Sequence, residues 1–230
     1  MNASARRFFD HVYEQARGPD ELPWHRDTPP TLLTRVVAER ATAGKAGRAL
    51  DVGCGSGVFS AWLAGQGYDV TGIDFSEAAI AMARQTAQRA GVAVNLVRTD
   101  VLAWPNPEQF DLIFDSGCLH GFRGDARRRY RDRLLSWLAT DGDYVLGHFD
   151  RWHPLDWRPI GPRRVPPARI LALFVPPLVE RARDAETHHA AFPIGPTVRV
   201  AIYWFGRDAG ITPGTASPGT SAAATRHPRP

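Results

Sequence analysis

One stretch limits what this chain can fold into more than any other: an apolar strand that runs straight into a cluster of glycines. Residues Ala49-Leu50-Asp51-Val52-Gly53-Cys54-Gly55-Ser56-Gly57 pass from strand character into a glycine loop, and a helical pattern follows. Glycine is required there because the backbone turns sharply and a ligand must approach it without a Cβ in the way. A dinucleotide fingerprint, G-x-G-x-x-G/A, calls for Gly or Ala at position 58. That position is Val58, and the third glycine arrives one residue early, at Gly57. Asp51 precedes the first glycine by two residues. A carboxylate there repels a pyrophosphate, but it can accept hydrogen bonds or pair with a ligand ammonium, directly or through water. The loop suits a cationic amino-acid moiety better than a phosphate.

Around this loop, residues 46–150 alternate short apolar runs with helical patterns, the signature of βαβ units and a mostly parallel sheet. Strands are expected at Arg48–Val52, Asp69–Ile73, Val94–Arg98, Asp111–Asp115 and Tyr144–Phe149. Helices are expected at Gly57–Gln66, at Glu77–Arg89 with Ser76 as N-cap, and at Arg127–Leu138, the last ending before a turn at Asp141-Gly142. Residues 1–45 read as an N-terminal helical lid. Its first helix carries Phe8, Phe9, Val12 and Tyr13 at a spacing that predicts one buried face, and a second helix starts near Thr31. The core is expected to span 46–207, with a substrate-covering insertion at about 151–170 and strand character recovered at Val198–Phe205. Two Pro-Ile-Gly-Pro tetrapeptides, at 159–162 and 193–196, read as independent chain reversals. Residues 208–230 are rich in Gly, Pro, Ser, Thr and Ala without hydrophobic periodicity, and are expected to be disordered.

Two further acids stand where later strands end. Asp74 closes the second strand, twenty-one residues after Gly53, the usual place for an acid that grips a ribose diol. Asp100 follows the third strand, with Val101 and Leu102 after it, placed for an adenine amino group and an apolar ring face. Open α/β sheets bind ligands outside the carboxyl ends of their strands. Three acids at three successive ends therefore point to one nucleoside-like ligand.

These motifs resemble class I S-adenosylmethionine (SAM)-dependent methyltransferases. DVGCGSG is similar to their first motif, Gly72-Ile73-Asp74 with Phe75 to the second, Arg98-Thr99-Asp100-Val101 to the third, and Phe110–His120 to their fourth-strand region. The resemblance covers about 46–150. It implies an α/β, Rossmann-like, doubly wound fold. It further implies that Asp51, Gly53 and Gly55 hold the methionine end of SAM, Asp74 the ribose and Asp100 the adenine, with Phe75, Val101 and Ser116 also lining the cofactor. More narrowly, the chain resembles thiopurine, tellurite and heterocyclic-toxin methyltransferases. Leu22-Pro23-Trp24-His25, followed by Pro29-Pro30, is similar to their cofactor lid, which makes Trp24 a cofactor-covering residue. The Asp115-Ser116-Gly117-Cys118-Leu119-His120 run also recurs there. The expected activity is methylation of a small heterocycle, phenol or thiol, in secondary metabolism or detoxification.

Composition narrows the alternatives. Lys+Arg is 28 against Asp+Glu 24, a net charge of +4, with Lys45 as the one lysine. The arginines are spread along the chain apart from a run at Arg123–Arg133, so the basic balance is expected to reflect genome composition rather than nucleic acid. A base-methylating enzyme also usually carries [N/D/S]-P-P-[Y/F/W] after the fourth strand, where this chain has Asp115-Ser116-Gly117-Cys118. No apolar run reaches membrane-spanning length, and the N-terminus lacks a signal-peptide core. Two cysteines cannot staple 230 residues, so a reduced, cytoplasmic setting is expected. Other readings remain open: SAM-dependent chemistry without methyl transfer, such as cyclisation; a nucleic-acid methyltransferase; or a nucleotide-fold oxidoreductase. The oligomeric state is not set by the sequence.

Methyl transfer from a sulfonium is an in-line displacement in which the enzyme chiefly supplies alignment and a dry site. A base helps only where the nucleophile carries a tightly held proton. His120, just past the fourth strand, and His148, near the end of the fifth, are the catalytic candidates; a packing role is the competing reading for His120. Cys118 is expected to be a small neighbour of the donor methyl rather than a nucleophile. No metal site is expected, the adjacent pair His188-His189 included. Trp152, His153, Trp157, Arg158, Arg163, Arg164 and Arg169 are candidates for covering and holding a flat or acidic acceptor.

Overall fold

The computed structural model describes residues 3–105, 107–150, 164–188 and 198–207. The chain begins with helices α1 (Ala3–Gln15) and α2 (Thr31–Thr42). It then alternates β1 (Arg48–Val52), α3 (Val58–Gly65), β2 (Asp69–Asp74), α4 (Glu77–Ala90), β3 (Asn95–Arg98), β4 (Phe110–Ser116), α5 (Gly124–Trp137) and β5 (Leu138–His148), and closes with α6 (Pro167–Phe174), β6 (Leu178–His188) and β7 (Val198–Arg207). The seven strands form one sheet in the order β3-β2-β1-β4-β5-β7-β6. β1 to β5 pair in parallel, while β7 runs antiparallel to both β5 and β6. The chain winds outward from β1 through β2 and β3, then returns to build β4 and β5 on the other side. This is the doubly wound, mostly parallel arrangement expected from the sequence, and its winding reverses between β1 and β4. A cleft opens at the carboxyl ends there, because the loops on either side lead away from each other.

The period-two alternation of each strand divides the core into two layers. Leu50, Val52, Ile113, Leu146, Tyr203 and Phe205 face α5 and α6, which contribute Tyr130, Leu134, Trp137, Ile170 and Phe174. Ala49, Leu112, Phe114, Val145, Ile202 and Trp204 face the other way, against Leu32, Leu33, Val36 and Val37 of α2 and Leu63 of α3. The two N-terminal helices thus have different neighbours. α2 covers the sheet, whereas α1 lies on α4, where Tyr13 and Leu22 pack with Ala79 and Met82. Ser76 caps α4 as expected, its Oγ accepting from the Ala79 N–H at 3.4 Å, and Gly91 ends the helix at φ +66°.

Several expectations need correction. Phe8 is 45% exposed, so the buried face of α1 does not include it. Asp141-Gly142 is no turn: β5 already starts at Leu138, and the dipeptide lies in an irregular stretch between the Phe110–Leu138 and Leu112–Asp143 pairs. That irregularity directs the buried Asp143 carboxylate at Arg40 of α2 (2.8 Å) and at Trp204 Nε1 of β7 (2.7 Å), tying three elements together. Residues 164–188 carry two elements with no counterpart among the expectations, α6 and β6. β6 pairs on one side only, and its register shift at Glu180/Ala182 breaks the alternation that would have marked it as a strand. The two Pro-Ile-Gly-Pro tetrapeptides, Trp152, His153, Trp157, Arg158, Arg163, His189 and the whole 208–230 tail lie outside the described residues. Arg169 is exposed on α6.

Candidate cofactor and acceptor site

The glycine loop is held by its neighbours rather than by its own side chains. The N–H groups of Gly53 and Cys54 both donate to the Ile73 carbonyl on β2, at 2.8 and 3.0 Å. Gly53 sits at φ +71°, and a Cβ on it would lie 3.0 Å from the Cβ of Cys118, so the loop and the segment after β4 touch at this point. Gly57 sits at φ +76°, with the α4 backbone at Ala83 only 2.8 Å from where a Cβ would be. An L side chain at either position would meet both strain and collision.

Asp51, Asp74 and Asp100 do sit at successive strand ends, each in a different setting. Asp51 is 2% exposed, and its Oδ2 accepts from Ser60 Oγ of α3 at 2.6 Å. Burial pushes its carboxyl up to about 7, with Asp115 and Asp74 adding to the effect and Ser60 opposing it. Asp74 accepts the Gly55 N–H (3.1 Å) on one oxygen and the Ser76 N–H (2.9 Å) on the other, so it couples the loop to the start of α4. Burial raises its carboxyl too. Asp100 is more open. Burial pushes it up, but the Leu102 N–H (2.9 Å) and Arg6 outweigh that and hold its carboxyl below the usual range. Val101 is buried beside it, and Ser116 is exposed at the tip of β4.

Helix α1 lies over these acids. Arg6 donates to Asp100 while its guanidinium stands 5.1 Å from the Phe75 ring centroid. A flat, delocalised group therefore already sits between an apolar ring and a carboxylate. About two turns further on, the Tyr13 hydroxyl lies against the place that a Gly55 Cβ would take. Trp24 packs edge-on against Phe9 and Tyr13 and donates its Nε1–H to the Tyr13 hydroxyl at 3.3 Å. The sequence drew attention to Trp24 but not to Arg6. Arg6 has no motif around it, and only the docking of α1 on α4 brings it to Asp100.

On the other side of Gly53, Asp115 at the end of β4 pins the following turn. It accepts the N–H of Cys118 (2.6 Å), the N–H of Leu119 (3.0 Å) and the Tyr130 hydroxyl of α5 (2.6 Å). This fixes Cys118 under the glycine loop and His120 beyond it. Burial, reinforced by Asp115, raises the Cys118 thiol well above its usual range, so it is no thiolate nucleophile. Burial, with His148 and Arg127 adding to it, pushes His120 down to about 3, which leaves the ring neutral at physiological pH. The two predicted histidines come together, their ring centroids 6.5 Å apart and edge to face. Among the described residues, no His/Cys/Asp/Glu group could hold a metal ion, and no helix is long and apolar enough to cross a membrane.

Comparison with known proteins agrees with this geometry. Residues 49–142 match the family described as a methyltransferase domain. The ubiquinone biosynthesis O-methyltransferase of Pseudomonas putida (strain GB-1) is 39% identical over 116 residues, 49% of this chain and 46% of the relative, so the chain spans about half the length of the curated relatives it matches. A structure solved for the conversion of a disulfide bond into a thioacetal group during echinomycin biosynthesis superposes with TM-score 0.65 at 25% identity, covering 89% of this chain and 94% of its own. The 1,6-didemethyltoxoflavin-N1-methyltransferase of Burkholderia thailandensis gives TM-score 0.65 at 22% identity, over 90% of this chain and 88% of its own. The glycine loop and all three strand-end acids fall within residues 49–142, the part of the chain that matches the methyltransferase-domain family.

Proposed function

We propose that the protein binds SAM and transfers its methyl group to a small-molecule acceptor. The observation that carries this reading is the Gly55–Asp74 coupling beside Asp100. A glycine loop, a diol-sized carboxylate and a stacking ring share one cleft edge. The cofactor fits that edge. Asp74 accepts the Gly55 N–H on one oxygen and the Ser76 N–H on the other, with the Phe75 N–H also favouring its charged form, and two carboxylate oxygens keep lone-pair capacity for a ribose hydroxyl. Phe75 and Asp100 accept a planar, hydrogen-donating group, since the Arg6 guanidinium takes that place in the structure. In this reading Asp51, Gly53 and Gly55 hold the methionine end, Asp74 the ribose, and Phe75, Asp100 and Val101 the adenine. Ser116 lines the donor end, and Trp24 closes the lid.

When bound, SAM supplies a methyl group already activated by a positively charged sulfur. What remains for the chain is positioning. Gly53 leaves room for Cys118 to pack against the loop, and a neutral thiol there neither competes for the methyl nor attracts water. The Phe9–Tyr13–Trp24 cluster keeps solvent from the cofactor edge. Neutral His120 can accept or donate a hydrogen bond to an acceptor.

The named relatives are an O-methyltransferase in one case and an N1-methyltransferase in another, so the deciding assay must span oxygen, nitrogen and sulfur acceptors. SAM turnover against a panel of phenols, N-heterocycles and thiols, with mass spectrometry of the products, tests the reading. A product 14 mass units heavier, roughly one methylene, together with calorimetric binding of SAM and S-adenosylhomocysteine, is the expected result. Binding without any methylated product would favour SAM-dependent chemistry of another kind. Tight, salt-sensitive binding to DNA or RNA would favour a nucleic-acid substrate instead. Both cysteines are free, which suits the proposed cytoplasmic setting.

A further inference from the structure

Helix α1 lays one face along the cofactor edge. Arg6, Asp10 and Tyr13 stand at i, i+4 and i+7, a spacing that aligns side chains on a helix. Tyr13 lies against the glycine loop at Gly55, Asp10 is within electrostatic reach of Asp74, and Arg6 pairs with Asp100. The three positions follow the points assigned above to methionine, ribose and adenine. The two ends of the helix are held differently. Tyr13 is buried and packs with Leu22, Ala79 and Met82. Around Arg6 the helix has no such anchor: Ser4, Arg7 and Phe8 are exposed, and no residue from Ala3 to Val12 is buried. The first turn carries no acid, and the cationic Arg6 and Arg7 that follow oppose the helix dipole. Arg6 fastens this end through its ion pair with Asp100 and its contact with the Phe75 ring, 5.1 Å from the centroid.

Resting on the cofactor reading above, we infer that Arg6 is an internal competitor for the nucleobase: its guanidinium fills the adenine place, and a cofactor must expel it in order to bind. The chemistry of the two groups is alike. A guanidinium is planar and delocalised, donates N–H groups in its plane and stacks on an aromatic face, which is what an adenine ring with its amino group also does. Asp100 Oδ1 already accepts the Leu102 N–H, and Oδ2 takes Arg6, so the base and Arg6 need the same oxygen and the same ring. A ligand that binds only the fraction of molecules with this place free binds more weakly by that fraction. Both side chains of the ion pair are one-third exposed, so the pair and the guanidinium–ring contact favour the occupied form by a few-fold each, about tenfold together. Cofactor binding then has an unusual consequence, because it releases a side chain to solvent instead of covering one.

The test is calorimetric titration of S-adenosylhomocysteine into the wild-type chain and into Arg6→Ala, Arg6→Lys and Arg7→Ala. At low salt Arg6→Ala should bind about tenfold more tightly than wild type. Arg6→Lys, which keeps the charge and loses the plane, should fall between them. Arg7→Ala removes an exposed neighbouring charge and should match wild type. At about 1 M salt the Debye length shrinks to roughly 3 Å, so the ion pair is screened while the ring contact persists, and the Arg6→Ala advantage should narrow to about threefold. Phenylglyoxal labelling of the wild-type chain, read by mass spectrometry, follows the guanidinium itself. Saturating S-adenosylhomocysteine should speed the labelling of Arg6 several-fold and leave that of Arg7 unchanged. Equal or weaker binding by Arg6→Ala, or slower labelling of Arg6 with ligand, overturns the inference and leaves the cofactor reading standing. So does an equal gain in Arg7→Ala, which would mark a loosened helix rather than a vacated site. No binding by any of the four proteins would overturn the cofactor reading, and the inference with it.

Discussion

Replacing Asp51 by Asn should stabilise the protein without ligand and impair it with ligand, and the two effects have one origin. Asp51 is 2% exposed, and burial lifts its carboxyl from 3.8 to about 7. The folded state therefore holds this proton more tightly than the unfolded chain does, and ionising the group opposes folding. The cost is absent below about pH 4, grows as pH rises, and is complete above about 7. Three pH units at about 1.4 kcal/mol each make the full cost about 4 kcal/mol. Asn cannot ionise, keeps a carbonyl to accept from Ser60, and escapes this cost. At pH 8, Asp51→Asn should melt on the order of 10 °C above wild type, given roughly 2–4 °C per kcal/mol for a chain of this size. Below about pH 4 the two proteins should melt nearly together. With SAM the order reverses. A ligand ammonium favours the ionised carboxylate, so wild-type affinity should rise by nearly tenfold per pH unit between about 5.5 and 6.5, with about one proton released. The Asn variant should bind at least tenfold more weakly at pH 7 and show no such dependence. Scanning calorimetry across pH and isothermal titration in two buffers of different ionisation enthalpy measure both. A stability difference that does not change with pH, or a wild-type SAM constant in the variant, would refute the reasoning.

Other outcomes follow from the same geometry. Asp74→Asn should weaken SAM and S-adenosylhomocysteine by about 10–100-fold, the loss of a charged acceptor for the ribose hydroxyls; unchanged calorimetric constants would remove Asp74 from the site. Arg6→Ala should raise the association rate of the cofactor, because the guanidinium no longer sits between Phe75 and Asp100. Stopped-flow tryptophan fluorescence reads this, and slower binding would mean that Arg6 helps the ligand rather than standing in its place. Arg40→Ala should cost about 3–5 kcal/mol, since it leaves the 4%-exposed Asp143 carboxylate without its 2.8 Å partner. Denaturant unfolding checks it, and a loss under 1 kcal/mol would show that Trp204 and Arg181 suffice for that charge.

The order of strands and helices from β1 to β4 was legible in the sequence because each element there obeys a local rule. Strands buried on both faces read as continuous apolar runs, Ser76 and Gly91 bracket α4 with cap chemistry, and the glycines after β1 have no substitute at positive φ. The three acids were legible for a related reason, since each follows a strand by a fixed short offset and parallel strands align their ends. What the sequence could not give was anything decided by contacts between distant segments. β6 escaped notice because an edge strand with a register shift has no clean alternation. Asp141-Gly142 has the composition of a turn, yet the pull of Arg40 and Trp204 on Asp143 keeps it within a strand. Arg6 meets Asp100 across ninety-four positions, and Tyr203 meets Asp150 across fifty-three. No periodicity encodes such pairings, because they depend on how α1 docks on α4 and on which strand β7 chooses as its neighbour. His120 and His148 were visible as candidates one at a time. Their rings come within 6.5 Å of each other only once β4 and β5 lie side by side.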